Sequence, residues 1–149
     1  MDKISVVTSL YHSAPYIREF HTRHVQSLQN LGVNFEFIFV NDGSPDESEV
    51  IVRELIVEAQ NITLISLSRN YGQHAGMFAG LSYATGNYVY ASDCDLEEAP
   101  ENIEILYREI KTDPRTDVVY CVLKKRSGDF FRNICGKLFY VLLDAISEV

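Results

Sequence analysis

Two aspartates separated by one residue, Asp93 and Asp95, follow a short apolar run and precede further acidic residues. In extended backbone alternate side chains share a face, so both carboxylates can converge on one hard cation. A Mg²⁺ or Mn²⁺ ion held there would bridge diphosphate oxygens and neutralise charge that develops on a leaving group. The alternative is an acidic loop in which Glu97 and Glu98 are favoured simply by a helix dipole.

A third aspartate lies in the segment VNDGS, residues 40–44, at the end of another apolar run. There Asp42 could accept hydrogen bonds from N–H or hydroxyl groups of a ligand, as an acidic residue after a strand holds ribose in dinucleotide folds. The alternative is turn chemistry alone, because Asp-Gly is common in turns.

Two further polar segments also follow apolar runs. In SLSRNYGQH, residues 66–74, Arg69 could contact phosphate, or it could be a surface arginine before a helix. His74 is a weaker candidate than Arg69, because a histidine in a first helical turn is more often a polar surface residue than a catalytic one. After the first run, Tyr11 could stack on a nucleobase to which Ser9 hydrogen-bonds, or it could only pack against the turn.

The elements that would position these residues alternate between strand and helix patterns. Strands are predicted for Ile4 to Leu10, Phe35 to Val40, Ile62 to Leu67, Tyr88 to Ala91 and Val118 to Leu123. Helices are predicted for about 15–31, 45–59, 72–84, 100–111 and 129–147. This alternation indicates an α/β fold with a mostly parallel sheet covered on both faces, whose ligands bind beyond the carboxyl ends of the strands.

Local signals fix some helix ends. Gly32 suits the left-handed conformation that ends the first helix. Ser44, Pro45 and Glu47 match a capping box that would begin the second helix at Ser44. Small residues in the third helix, Ala75 and Ala79 among them, predict close packing on the sheet.

Composition limits the function classes. The 149 residues are 46% hydrophobic and form one expected domain, 1–149. The net charge of -8 argues against nucleic-acid binding, because proteins bind a phosphate backbone through Lys and Arg side chains. Three distant cysteines predict neither a disulfide framework nor a zinc site, and no apolar run is long enough to span a bilayer, so we expect a cytoplasmic protein.

Residues 65–101, ISLSRNYGQHAGMFAGLSYATGNYVYASDCDLEEAPE, and residues 40–48, VNDGSPDES, carry a family resemblance. They resemble the family 2 inverting glycosyltransferases, and within these the polyprenyl-phosphate sugar transferases such as dolichol-phosphate mannose synthase. The resemblance covers essentially the whole chain and implies the GT-A fold, a Rossmann-like three-layer sandwich. It also implies metal-assisted transfer of a sugar, with inversion, from a nucleoside diphosphate-sugar to an acceptor hydroxyl or a polyprenyl phosphate.

The resemblance assigns roles to residues that match the family pattern. It implies that Ser9, Tyr11 and Asp42 line the base pocket and that Asp93 contacts the sugar-nucleotide, beside the phosphate role considered for Arg69. Asp95 would be the principal ligand of Mg²⁺ or Mn²⁺, and Glu98 a second acidic ligand. Lys124, Lys125 and Arg126 would supply positive charge for the diphosphate, or form an exposed basic turn. The donor would most often be UDP-linked.

Several positions depart from the family pattern. Asn41 replaces the first aspartate of the Asp-Asp-Gly-Ser motif, and His12, Ser13 and Ala14 stand where Asn-Glu-Glu is usual. Leu123 stands where an arginine is common. These departures leave the nucleotide preference open.

The resemblance also implies further sequence. Families of this type continue with an acceptor half and a catalytic base, so we expect a chain truncated at its C-terminus, with that half beyond Val149, and assign no catalytic residue. The apolar helix predicted over 129–147 would be buried under a missing segment, or would lie on a membrane surface at the cytoplasmic face. The acceptor would be a polyprenyl phosphate or a growing surface glycan.

Two rival functions stay open. A non-catalytic nucleotide-sugar-binding module would bind donor without transferring sugar. A receiver-like signalling domain would need an acidic pair after the first strand, where this chain has Tyr11, His12 and Ser13.

Overall fold

The computed structural model describes residues 1–122. Met1–Val119 form one compact unit, and of a second unit that begins at Tyr120 only residues 120–122 are described. The elements in chain order are β1 (Lys3–Leu10), α1 (Ile17–Leu31), β2 (Asn34–Asn41), α2 (Ser48–Glu58), β3 (Ile62–Ser66), α3 (Gln73–Leu81), β4 (Tyr88–Ala91) and α4 (Asn102–Ile110).

The four strands form one parallel sheet in the order β3-β2-β1-β4. The longest ladder pairs β1 with β2 from Lys3↔Asn34 to Leu10↔Asn41. Because all four strands run the same way, their carboxyl ends meet at one edge of the sheet, and the segments that follow them are neighbours there. The predicted parallel α/β sheet is confirmed.

Alternate strand residues are buried on opposite faces of this sheet, so the fold has three layers, with the sheet between helices on each face. On one face, strand residues such as Val6 and Phe37 pack with residues of α1, α2 and α4. On the other face, Val7, Ile38 and Val40 pack against α3. Helices on both faces explain why the central strands β1 and β2 are buried over most of their length.

One predicted helix end is confirmed and one predicted helix start is wrong. α1 ends at Leu31, and Gly32 follows with φ of 64°, donating its N–H to the carbonyl of Gln29. The second helix begins at Ser48, not at Ser44. Ser44 does not begin it because its hydroxyl oxygen accepts the N–H of His12 and its hydroxyl donates to Asp46.

α3 packs on the sheet through its glycines. Gly76 and Gly80 are buried, whereas Ala75 is exposed and Ala79 is half-buried. A Cβ on Gly80 would lie 2.5 Å from Cγ1 of Val7, so the helix approaches β1 as closely as its backbone permits. The predicted close packing therefore occurs, with glycines at the contact.

The predicted fifth strand is wrong over the part that the structure describes. Residues 118–122 form no strand, and the side chains of Val118, Tyr120 and Val122 are 76%, 75% and 73% exposed. A continuous apolar run such as VVYCVL, residues 118–123, favours a strand but supplies no ladder partner, which a strand requires. Leu123, the basic residues Lys124, Lys125 and Arg126, and the apolar helix over 129–147 lie outside the described residues.

No helix within residues 1–122 is both long and apolar enough to cross a membrane.

Candidate functional site

A cleft of about 290 Å³ opens at the carboxyl edge of the sheet. Its lining comes from β1 and the segments that follow each of the four strands: Ser9, Tyr11, Ser13, Asp42, Asn70, Gln73, Asp93, Cys94 and Asp95. Ser9, Tyr11, Asp42, Asp93 and Asp95 are site residues predicted from the sequence, and the structure brings all five together. Two others, Arg69 and Glu98, lie outside this lining.

The segment after β4 presents two carboxylates to the cleft. Asp93 and Asp95 are exposed, whereas Cys94 between them is 3% exposed. Burial raises the pKa of the Cys94 thiol to about 12, and Asp95 and Asp93 add to this, so the thiol stays protonated. The segment therefore offers hard oxygen ligands and no nucleophilic thiolate.

Backbone geometry after Asp95 turns the segment sharply. Leu96 has φ of 62°, and Oδ1 of Asp95 accepts a hydrogen bond of 3.0 Å from the N–H of Glu97. Within residues 1–122, no three His, Cys, Asp or Glu side chains come together as a metal site. Carboxylate oxygens suit Mg²⁺ or Mn²⁺, and such ions commonly take their remaining ligands from water and substrate phosphate.

Asp42 holds the turn that follows β3. Its side chain is 1% exposed; Oδ1 accepts the N–H of Tyr71 at 2.7 Å and Oδ2 accepts that of Gly72 at 2.9 Å. Each carboxylate oxygen thus accepts one backbone N–H and keeps capacity to accept a further hydrogen bond. The contacts to Tyr71 and Gly72 were not foreseen from the sequence.

Gly43 allows the same turn to cross close to the end of β2. A Cβ at this position would lie 2.5 Å from the backbone nitrogen of Asn70, and φ is +63°. Only glycine satisfies both the space and the conformation. The Asp-Gly pair is therefore turn chemistry that also shapes the cleft wall carrying Asn70.

The remaining candidates of this segment point elsewhere. The guanidinium of Arg69 lies over the ring of Tyr71, 4.9 Å from its centroid, and Arg69 is exposed. His74 is exposed and outside the lining. A cation on an aromatic face at the surface is a weak contact, so Arg69 remains free to reorient.

The first wall of the cleft is the loop of residues 11–14, and its backbone is held by side chains. Tyr11 is 49% exposed, and the edge of its ring meets the ring of His12 with centroids 4.6 Å apart. Four successive N–H groups are bound: Tyr11 to Oγ of Ser13 (3.1 Å), His12 to Oγ of Ser44 (2.8 Å), Ser13 to Oγ of Ser48 (3.2 Å) and Ala14 to Oδ2 of Asp46 (3.0 Å).

Asn41 has a structural role. Its Oδ1 accepts the N–H of Ser44 at 3.0 Å, and its Nδ2 donates to Oε2 of Glu49 at 2.8 Å. An aspartate here would oppose Glu49 with a second carboxylate, so the departure from the family motif fits its neighbour. Asn41 is not among the residues that line the cleft.

The cleft is acidic. Asp42, Asp93 and Asp95 line it, and the lining drawn from residues 1–122 contains no Lys, Arg or His. An anionic ligand such as a diphosphate would be repelled by this surface unless a cation accompanied it.

Sequence comparison agrees with this architecture. The family model described as glycosyl transferase family 2 matches residues 5–142. A protein described as putative glycosyltransferases, from Mycobacterium tuberculosis, is 37% identical over 138 residues, covering 93% of this chain and 40% of the relative. The uncharacterized glycosyltransferase YkcC of Bacillus subtilis is 34% identical over 146 residues, covering 97% and 45%. The chain therefore spans less than half the length of these relatives.

Solved structures share the fold. The mannosyltransferase PcManGT of Pyrobaculum calidifontis, in complex with GDP-Man and Mn²⁺, has a TM-score of 0.68 at 24% identity, covering 88% of this chain and 38% of that one. Residues 1–349 of S. aureus TarS have a TM-score of 0.56 at 27% identity, covering 73% of this chain and 32% of that one. The complex of the same residues with UDP-GlcNAc has a TM-score of 0.52 at 27% identity, covering 70% of this chain and 32% of that one. The predicted GT-A fold is confirmed by these neighbours.

Proposed function

The chain belongs to glycosyl transferase family 2, and we propose that its cleft binds a nucleoside diphosphate-sugar together with Mg²⁺ or Mn²⁺ for transfer of the sugar with inversion. The observation that carries this proposal is the acidic cleft itself. Three carboxylates and no cationic side chain line it within residues 1–122, at the edge of the sheet where α/β folds bind nucleotides. A divalent cation would reconcile these carboxylates with a diphosphate.

Each wall supplies a different kind of contact. The half-exposed ring of Tyr11 offers an aromatic face for the base, and Ser9 and Asp42 offer polar atoms in the same cleft. Asp93 would bind the sugar-nucleotide, and Asp95 would be the principal metal ligand. The bound cation would bridge diphosphate oxygens and stabilise the departing nucleotide.

We assign the predicted site residues that do not line the cleft to positions around it. Glu98 would be a second acidic ligand of the cation. Arg69 would turn from Tyr71 toward phosphate. Lys124, Lys125 and Arg126 would add positive charge on the diphosphate side.

Complexes of the structural neighbours support the ligand class. PcManGT is complexed with GDP-Man and Mn²⁺, and TarS with UDP or UDP-GlcNAc. Since TarS is a neighbour with more than 25% identity, we infer a UDP-sugar as the first donor to test.

For the acceptor, we propose a polyprenyl phosphate or a glycan, as in the polyprenyl-phosphate sugar transferases that the motifs resemble. The acceptor site and catalytic base would belong to sequence that the relatives carry outside the matched region. A protein that acts in surface polysaccharide synthesis would lie in the cytoplasm, at the inner face of the membrane.

Calorimetric titration with UDP, GDP and dTDP, each with and without Mn²⁺, tests the donor site. We expect one nucleotide to bind only when Mn²⁺ is present. Asp95→Ala should weaken that binding at least about tenfold, because the cation loses one negatively charged ligand. Asp113→Ala is the matched control, since the carboxylate of this half-exposed aspartate pairs only with Arg115 within the described chain. A folded chain that binds none of the three nucleotides would contradict the proposal.

A non-catalytic binding module is the second candidate. Asp42, Asp93 and Asp95 all have donor-side roles, so the described lining holds no further carboxylate or histidine to activate an acceptor. Donor binding without sugar transfer or donor hydrolysis would identify this function.

A further inference from the structure

The segment 44–48, SPDES, lies against the 11–14 loop and binds three of its four backbone N–H groups. Ser44 accepts from His12, Ser48 from Ser13 and Asp46 from Ala14. Side chains that bind successive N–H groups of another loop fix its conformation, because each buried or half-buried donor needs a partner. This segment, called the 44–48 turn below, is therefore a template for the loop that carries Tyr11.

The carboxylate of Asp46 is the centre of the 44–48 turn. Its Oδ1 accepts the hydroxyl of Ser44 at 2.6 Å and the N–H of Ser48 at 3.0 Å, while its Oδ2 reaches across to Ala14 at 3.0 Å. Burial acts to raise the pKa of Asp46, but these hydrogen bonds outweigh it and hold the pKa below its usual value. Asp46 is ionised at neutral pH and orients both serines that bind the loop.

Tyr11 depends on this template for its position. Its ring is half-exposed and forms a T-shaped contact with the ring of His12, with centroids 4.6 Å apart. The backbone beside it, from His12 to Ala14, is bound by the 44–48 turn. His12 has φ of 55°, a left-handed conformation that this hydrogen bonding helps to maintain.

We propose that Asp46 is a positioning residue for the donor: by holding the 44–48 turn against the 11–14 loop, it sets the ring of Tyr11 against the nucleotide base and so determines nucleotide affinity. The proposal rests on the proposed function, because it presumes that a nucleotide occupies the cleft. Asp46 itself is not among the lining residues and would touch no ligand atom. Its effect would pass through the loop.

A double-mutant cycle distinguishes positioning from simple support of the fold. Affinity for the nucleotide that the wild-type chain binds in the presence of Mn²⁺ is measured for wild type, Asp46→Ala, Tyr11→Ala and the double variant. We expect Asp46→Ala to weaken binding about tenfold when Tyr11 is present and less than about twofold in the Tyr11→Ala background, because coupled neighbours are not additive. A loss that only reflects stability would be equal in both backgrounds.

Glu47→Ala is the matched control, since this neighbouring exposed carboxylate has no side-chain hydrogen bond within residues 1–122 and should leave affinity unchanged. If Asp46→Ala melts below the assay temperature, Asp46→Asn replaces it, because the amide keeps one acceptor oxygen. Equal affinity of wild type and a folded Asp46 variant, or an equal loss in both backgrounds, overturns this inference alone. A wild-type chain that binds no nucleotide would overturn the proposed function and the inference with it.

Discussion

The side-chain amide of Gln73 donates a hydrogen bond to the carboxylate of Asp93. Gln73 begins α3, which follows β3, whereas Asp93 follows β4 at the opposite side of the sheet. The bond therefore joins two walls of the cleft that follow opposite edge strands of the sheet. It also distinguishes the two aspartates: Asp93 is held by a side chain, while Asp95 accepts only the N–H of Glu97 in the described structure.

Changing Gln73 should alter the affinity of the cleft for a cation. In Gln73→Glu a fourth carboxylate joins the cleft lining and replaces the donor beside Asp93, so Mn²⁺ without nucleotide should bind about fivefold more tightly at low salt. Calorimetry or Mn²⁺ electron paramagnetic resonance would measure this. Gln60→Glu makes the same charge change at an exposed position before β3, at the other end of the sheet. Equal tightening in both variants would mean that only net charge matters.

Gly80→Ala should destabilise the fold, although alanine in a helix is normally favoured over glycine by about 1 kcal/mol. The new Cβ would lie 2.5 Å from Cγ1 of Val7 and 2.9 Å from Cγ2 of Val40, so α3 must move away from the sheet. Overpacking of this kind costs about 1–3 kcal/mol, measured as the free energy of unfolding in urea. Ala75→Gly, at an exposed position of the same helix, should cost no more than about 1 kcal/mol. A Gly80→Ala variant as stable as wild type would show that α3 shifts freely.

Glu36 should stabilise the end of the sheet opposite the cleft. It accepts Nζ of Lys3 at 2.6 Å, Oγ of Ser5 at 2.6 Å and the N–H of Thr85 at 2.8 Å. Glu36→Gln should therefore cost about 1–3 kcal/mol in the free energy of unfolding at pH 7. Glu54→Gln, which removes an exposed ion pair with Arg18, should cost less than about 1 kcal/mol.

Glu36 should also make the free energy of unfolding depend on pH in the acid range. Burial acts to raise the pKa of Glu36, but its hydrogen bonds lower it to about 2, from 4.5. A carboxylate with a depressed pKa in the folded state stabilises above its unfolded pKa, and this is lost as pH falls from 4.5 toward 2. The stability difference between wild type and Glu36→Gln should shrink over this range, and a constant difference would exclude the charge as its cause.

The strands and the site segments could be predicted because each depends on local pattern. Apolar runs placed β1 to β4, and the rule that ligands bind beyond parallel strands led to Asp42, Asp93 and Asp95. Gln73 was missed, although its position in the first helical turn after a strand at that same edge was a usable signal.

The 44–48 turn could not be predicted from local pattern. Ser44, Pro45 and Glu47 match a capping box, and only the approach of the 11–14 loop decides that Ser44 binds His12 instead of a helix start. The failed strand over 118–122 has the same cause, because pairing depends on a partner that local sequence does not reveal.

His24 should make stability fall at mildly acidic pH. Its side chain is fully buried between the rings of Phe20 and Tyr90, with ring centroids 4.2 and 5.5 Å away, and its Nδ1 lies 2.8 Å from the carbonyl oxygen of Phe20. Burial is the main cause that lowers the pKa of His24 to about 4, from 6.5, while Glu101 acts to raise it. The folded chain therefore excludes a proton that the unfolded chain binds below pH 6.5.

Neutral His24 therefore costs no stability above pH 6.5, and the free energy of unfolding declines as pH falls toward 4, by up to about 1.4 kcal/mol per pH unit for one proton. Urea unfolding at pH 7.5, 6 and 5 would measure the slope for wild type and His24→Phe. The variant should lose most of the slope, since phenylalanine can occupy the site without titrating. His21, half-buried beside Phe37 and with a pKa also lowered by burial, would account for what remains, and His21→Phe separates the two. Identical slopes in wild type and His24→Phe would mean that His24 titrates in the folded chain as it does in the unfolded one.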